Sequence, residues 1–271
     1  MNLDPLLLRE RHALILQRLA AEGRVLAPAL AQQLQVSEDT IRRDLRDLAA
    51  AGLCQKVYGG ALALPAAPDG GTLSQRRGQQ GATKARLAQA AASVVRAGQV
   101  LFIDAGSTNI AIAAALPALA LTVITNAPLV AAQLVERPQI ELIMIGGRVD
   151  PRSGASVGAS ALRDLAPLRP DLYFLGGCGV DGGAGVTVSD YEEAEFKRRA
   201  AAASVAVLVA ATADKLGTAA PYQVLTAAQL HYLVVEHDAD ATQCGALADA
   251  GITLLRAAGA PFHSIPEQGT P

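Results

Sequence analysis

Ser37-Glu38-Asp39-Thr40-Ile41-Arg42-Arg43-Asp44-Leu45-Arg46-Asp47-Leu48 reads as one amphipathic helix with two distinct faces. Ser37 is a good N-cap, because its hydroxyl can accept from a free amide of the first turn. Glu38 and Asp39 then place negative charge against the positive end of the helix dipole. Ile41, Leu45 and Leu48, spaced by four and three, form an apolar stripe. Thr40 and Arg43 lie on one exposed edge, and Arg42 and Arg46 lie a turn apart on another. A helix of this kind buries one face and presents hydroxyls and guanidiniums with the other. Arg can read guanine with two hydrogen bonds, and Ser or Thr can reach bases or phosphates. Ser37, Thr40, Arg42, Arg43 and Arg46 are therefore candidate DNA contacts, on a helix running from Ser37 to Ala50 and stopped by Gly52.

The flanking sequence supplies a frame for that helix. Asp4 and Pro5 predict a helix start, with Leu8, His12, Ile15 and Leu19 on one buried face and Gly23 as the stop. Val25-Leu26 predicts a short strand, and a second helix spans Pro28 to Leu34 before the tight connection Gln35-Val36. Downstream, Leu53 to Val57 and then Gly59-Gly60 predict a strand-turn-strand wing that puts Lys56 near a phosphate. Charge alone does not argue for DNA, since residues 1–64 hold eight Lys and Arg against seven Asp and Glu. The order of cap, stripe, stop and wing does. The run from Arg11 through Ile15, Leu19, Ser37 and Thr40-Ile41-Arg42-Arg43-Asp44-Leu45 resembles the helix-turn-helix signature of the DeoR family of bacterial transcription repressors. The wing Val57-Tyr58-Gly59-Gly60-Ala61 resembles that family's wing, with Tyr58 where His is usual.

Residues 62–83 are rich in Pro, Gly, Ala and Gln, which predicts a linker after a DNA-binding domain at 1–61. From Lys84 the grammar changes to short apolar strands alternating with helices, the pattern of a parallel sheet. Strands are predicted at 100–104, 121–125, 140–145, 172–175, 205–210 and 232–235, within a domain spanning 84–256. The tail 257–271, with three prolines, is predicted to fray. Three consecutive strands carry small polar residues at their carboxyl ends, where open α/β sheets bind ligands. These are Asp104, Gly106, Ser107 and Thr108, then Thr125 and Asn126, then Gly146 and Gly147. The Gly-Ser-Thr turn, opening a helix, has the amides and hydroxyls of an anion site. Further candidates are Asp181 in a glycine-rich loop, the i, i+4 pair Glu193 and Lys197, and Lys215 after the strand at 205–210.

Lys84 to about Glu236 resembles the DeoR-family sensor domain in the order of Asp104-x-Gly-Ser-Thr108, Thr125-Asn126, Gly146-Gly147, Gly179-Val180-Asp181, Glu193-x-x-x-Lys197 and Asp214-Lys215. Thr83-Lys84 stands where the family often has Glu-Lys, and Asp214-Lys215 lacks two residues that usually separate that pair. The resemblance implies an α/β sensor domain, similar in fold to ribose-5-phosphate isomerase and the CoA-transferases, behind a small winged helix-turn-helix. It implies a repressor of carbohydrate or polyol catabolism genes gated by a phosphorylated sugar or polyol. The partners implied are a double-stranded DNA operator, that effector, and further copies of the chain as dimer or tetramer, because one winged helix covers only a short half-site. No catalytic residue, metal or cofactor is expected. The alternative reading is a sugar-phosphate isomerase fused to a winged helix, with Asp104, Asp181, Glu193 or Lys197 as acid or base.

Composition sets the outer bounds. The 271 residues carry a net charge of −2, so DNA contact must come from a local cluster. Aromatic residues make up 3% and Trp is absent, which argues against stacking platforms for single strands. Cys54, Cys178 and Cys244 are too scattered for a metal site or disulfide framework, and His12, His231, His237 and His263 have no ligand spacing. The start Met-Asn-Leu-Asp-Pro has no signal-peptide pattern, and no apolar run reaches the ~18 residues of a membrane span. A cytoplasmic protein without a membrane partner is expected.

Overall fold

The computed structural model describes residues 7–68 and 71–259. The predicted start at Asp4-Pro5 and nearly all of the 257–271 tail lie outside them. Helix α1 (Leu8–Glu22) stops at Gly23, whose φ of 71° suits glycine and whose N–H donates to Leu19 O. Strand β1 (Arg24–Leu26) leads into α2 (Ala27–Leu34), and a left-handed Gln35 turns the chain into α3 (Glu38–Ala50). Strands β2 (Gln55–Val57) and β3 (Gly60–Leu62) complete an antiparallel sheet of order β1-β3-β2. Ile15, Leu19, Leu30, Ile41, Leu45 and Leu48 form the core of this winged helix. Leu8, predicted on the buried face, is exposed instead. His12 is half-buried, drawn to Asp44 at 3.3 Å.

The segment 62–83 is more than a linker. It holds α4 (Leu73–Gly78) and the first turn of α5 (Gly81–Ala92). Thr72 caps α4 in a reciprocal box with Gln75, and Leu73 anchors it in the core. The remaining elements follow in order: β4 (Val100–Ile103), α6 (Ser107–Ala115), β5 (Leu121–Thr125), α7 (Pro128–Ala131), β6 (Ile140–Met144) and α8 (Ala159–Leu165). Then come β7 (Leu172–Phe174), β8 (Gly179–Asp181), β9 (Gly185–Val188), α9 (Tyr191–Ala203) and β10 (Ala206–Ala210). The chain continues through β11 (Tyr222–Leu225), β12 (Tyr232–Val235), α10 (Ala241–Asp249) and β13 (Thr253–Arg256).

Seven parallel strands lie in the order β13-β12-β10-β7-β4-β5-β6. Alternate residues of each central strand face opposite cores, as the pleat requires. Leu101 and Ile103 of β4, Leu172 and Phe174 of β7, and Leu208 of β10 share one core with α5 and α6. Phe102, Tyr173, Val207 and Val209 point to the other, which takes in α8 to α10. A parallel sheet covered on both faces explains why these strands read as continuous apolar runs. The chain winds outward from β4 in one direction and from β7 in the other, so a crevice opens at the carboxyl ends of these two neighbours. A smaller sheet, β11-β9-β8, stands beside it. Residues 179–181, predicted as loop, form β8 because they pair with β9. Among the described residues, no helix is long and apolar enough to cross a membrane, and no cluster of His, Cys, Asp and Glu has the makings of a metal site.

Candidate functional site

The first candidate surface is the outer face of α3. Ile41, Leu45 and Leu48 are buried and turn Arg42, Arg43 and Arg46 outward into solvent. Ser37 does cap the helix, accepting from Thr40 N at 3.1 Å, and its hydroxyl also meets Thr40 Oγ1 at 2.8 Å. Arg42 is engaged by Glu38 at 2.7 Å and Asp39 at 3.6 Å, so it is less available than Arg43 or Arg46. Lys56 is exposed on the wing, and Tyr58 stands fully exposed at the turn beyond it.

The second is a cavity of about 220 Å³ at the β4/β7 switch point. One wall is the turn after β4. No side chain caps α6, and its first intrahelical bond runs from Ile110 N to Gly106 O, leaving the amides of Ser107 and Thr108 without a helical acceptor. Both residues line the cavity. Arg76 of α4, Lys84 of α5 and Lys215 line it too. Lys84 Nζ donates to Arg76 O at 2.5 Å and Gln79 O at 2.8 Å, Lys215 Nζ to Gly177 O at 2.7 Å, and Arg76 to Gly71 O at 2.6 Å. Their hydrogen-bond partners are carbonyl oxygens, so the positive charges converge without carboxylate ion pairs among the described residues. Burial, then repulsion from Lys215 and Arg76, lowers the Lys84 pKa against the pull of Asp214. Burial also lowers that of Lys215. Asp190 and Glu193 contribute acidic groups to the same lining.

Behind this wall sits a buried charge cluster. Lys197, 1% exposed, pairs with Asp104, with Glu193 at 3.0 Å and with Gly176 O at 2.7 Å. Burial alone would lower its pKa, but the carboxylates of Asp104 and Glu193 raise it. Asp104 also accepts from Tyr173 Oη at 3.0 Å, Gly176 N at 3.2 Å and Ala105 N at 2.7 Å.

Of the residues singled out by sequence, Gly106, Ser107, Thr108, Glu193 and Lys215 line the cavity. Asp104 and Lys197 brace it from behind. The rest are elsewhere. Thr125 is buried, donating to Ile103 O at 2.6 Å. Asn126 is buried too and ties β5 to Ser156 O at 3.1 Å. Gly146 and Gly147 are exposed and outside the lining. Asp181 accepts from Gly183 N and Ala184 N and so closes the β8–β9 turn. Sequence reading missed Arg76 and Lys84. The Thr72-x-x-Gln75 capping box was the signal that places Arg76 on a helix. Lys84 was legible as one of two cations, with Arg86, on an Ala-rich helix, at the Thr83-Lys84 position where the family often has Glu-Lys.

Residues 11–65 match the model of the DeoR-like helix-turn-helix domain, and residues 79–237 match that of the DeoR C-terminal sensor domain. The chain belongs to the DeoR family of transcription repressors. It is 32% identical to the glycerol-3-phosphate regulon repressor of Escherichia coli over 77% of this chain and 82% of that one. It is 30% identical to the transcriptional regulator GlpR of Haloferax volcanii over 84% and 89%, and 29% identical to GolR of Listeria innocua over 90% and 97%. Among solved structures, ribose 5-phosphate isomerase A of Methanocaldococcus jannaschii matches with a TM-score of 0.38 and 14% identity over 51% of this chain and 55% of that one. This DeoR-family chain thus joins a DNA-binding winged helix to a parallel α/β sensor domain.

Proposed function

We propose that this DeoR-family protein represses genes of carbohydrate or polyol catabolism from the cytoplasm, as an oligomer, and that a phosphorylated sugar or polyol in the β4/β7 cavity gates it. The observation that carries this reading is the meeting of Arg76, Lys84 and Lys215 with the open start of α6 in one cavity. Free amides and a helix N-terminus stabilise an anion, and cations held by carbonyl oxygens, with Asp214 as the nearby counter-charge for Lys84 and Lys215, gain a stronger partner when one arrives. A phosphoryl group answers that demand, and Asp190 and Glu193 supply acceptors for the hydroxyls of the attached body. The winged helix would meet the major groove through α3, with Arg43 and Arg46 nearest to bases and Lys56 to a phosphate.

The isomerase alternative is weaker on this geometry. A general base must reach its substrate. Asp104 and Lys197 are buried and engaged with each other, Asp181 closes a hairpin turn, and Glu193, which does line the cavity, is paired with Lys197 at 3.0 Å. Calorimetry with matched sugars and sugar phosphates tests the main reading. The phosphorylated member of one pair binds at least tenfold tighter, and that member shifts the affinity for a duplex selected from a randomised library. Equal affinities within every pair, or turnover of ribose 5-phosphate, would overturn it.

A further inference from the structure

The cavity and the DNA-reading helix share two physical connections. The first is the chain between the domains. Ala67 N donates to Ala219 O at 2.9 Å and Ala219 N to Pro65 O at 3.1 Å, so residues 65–67 lie as a strap along residue 219. The next residue, Pro68, lines the cavity. Ala219 in turn ends the short loop whose Lys215 faces the same cavity.

The second connection is the β8–β9 hairpin. Gly177 O accepts from the cavity's Lys215, and Gly176 is held between Asp104 and Lys197. From there the backbone runs directly into β8 and to the hairpin tip at Gly183. That tip meets the end of the DNA-reading helix backbone to backbone. Gly52, at φ +66°, has no room for a side chain, since a Cβ there would fall 2.2 Å from Gly183 O. A Cβ on Gly183 would in turn come within 3.3 Å of Gly52 Cα and 3.4 Å of Ala49 O, the last turn of α3. The two connections are bonded to each other, because Gly217 N donates to Val180 O at 2.8 Å.

We propose that occupancy of the cavity is transmitted to α3 through the strap at 65–68 and the hairpin tip at Gly183, acting as one clamp on the winged helix. The proposal takes from the preceding reading that the cavity holds the effector. The clamp itself is defined by backbone contacts at both of its ends. Allosteric coupling is reciprocal, so a ligand on α3 must be felt at the cavity end. This allows a test that needs no knowledge of the effector.

Amide hydrogen exchange is measured on the full chain with and without a duplex recovered from a randomised library. Bound duplex slows exchange across residues 38–50. In the same samples, exchange at Ala66, Ala67, residues 177–185 and residues 215–220 changes by about threefold or more, as expected for a shift in local opening. Protection of 38–50 with unchanged exchange at all those positions overturns the clamp. Gly183→Leu, which pushes the tip away from α3, is expected to keep duplex protection of 38–50 and lose the change at 177–185. Ala67→Pro removes one strap hydrogen bond and serves the same purpose should Gly183→Leu fail to fold. A duplex response retained in full by both variants also overturns it. A chain that responds to duplex in this way but binds no sugar phosphate would remove the effector reading and leave the clamp standing.

Discussion

Asp44, 2% exposed on α3, grips Arg11 of α1 through two hydrogen bonds, from Nε at 2.5 Å and from a terminal guanidinium nitrogen at 2.9 Å. The pair ties α3 to α1. Hydrogen bonding to Asp44 raises the Arg11 pKa despite partial burial. Removing one partner of such a pair strands the other, at a cost of about 3–5 kcal/mol for fully buried cases. Asp44→Ala is expected to lower the unfolding free energy of the winged helix toward that range and to abolish duplex binding. Asp44→Asn, which retains an acceptor, loses less. Denaturant unfolding monitored alongside duplex binding checks both, and an Asp44→Ala protein of unchanged stability would contradict the account.

Arg43 and Arg46 are expected to matter more for DNA than Arg42. All three are exposed, but Arg42 already spends its guanidinium on Glu38 and Asp39. A base-reading arginine contributes about 1–3 kcal/mol. Arg43→Ala and Arg46→Ala should each fall in that range, and Arg42→Ala well below it. Lys56→Ala should weaken all duplexes alike and flatten the salt dependence, as the loss of a phosphate contact does. Duplex titrations at several salt concentrations separate these outcomes.

Lys197 is expected to act on the sensor's stability ahead of its ligand affinity. Its ammonium is enclosed by Asp104, Glu193 and Gly176 O, with 1% of the side chain exposed. Lys197→Met leaves the fully buried Asp104 carboxylate without its cation, which costs several kcal/mol. Thermal unfolding should show a large fall in Tm. A variant as stable as the parent, with only its effector response lost, would make Lys197 a ligand contact instead.

Much of this was legible in the sequence, and the exceptions share physical causes. Strands β4, β5, β6, β7, β10 and β12 announced themselves as mostly apolar runs. Strands β8, β9, β11 and β13 did not. They are short, β8 and β9 each begin with glycine, and β11 pairs with β9 across a register shift. Nothing in a short Gly-Val-Asp run distinguishes a strand from a loop until its partner is known. Helix α4 was hidden by the prolines and glycines before it. Of the strand-end residues, Gly106 to Thr108 line the cavity, whereas Thr125 and Asn126 are buried away from it and Gly147 lies outside the lining. Several polar residues at strand ends tie neighbouring loops together, and which of them meet one cavity depends on where the strand order reverses. The cations on α4 and α5 were missed for a related reason: a helix packed across the strand ends leaves no spacing signal in the sequence.

The pH dependence of effector binding should carry the signature of Lys84 and Lys215. Both titrate below the usual lysine value of 10.5, chiefly through burial, with repulsion from Lys215 adding to it for Lys84. The sign for stability follows from the direction. Between the lowered folded value and 10.5, the unfolded chain binds more protons than the folded one, so the free sensor gains stability as pH rises through that window. Binding runs the opposite way. A phosphate dianion favours the charged lysines, so its affinity is flat while both are protonated and falls as either loses its proton. The fall should therefore begin at a pH below 10.5, and binding in that range should take up protons. Lys84→Met should weaken a sugar phosphate strongly while leaving its unphosphorylated counterpart unchanged, and should reduce the proton uptake. Calorimetry in buffers of different ionisation enthalpy measures that uptake directly. An affinity that stays level up to pH 10.5, in parent and variant alike, would show that the phosphoryl group lies away from these two lysines.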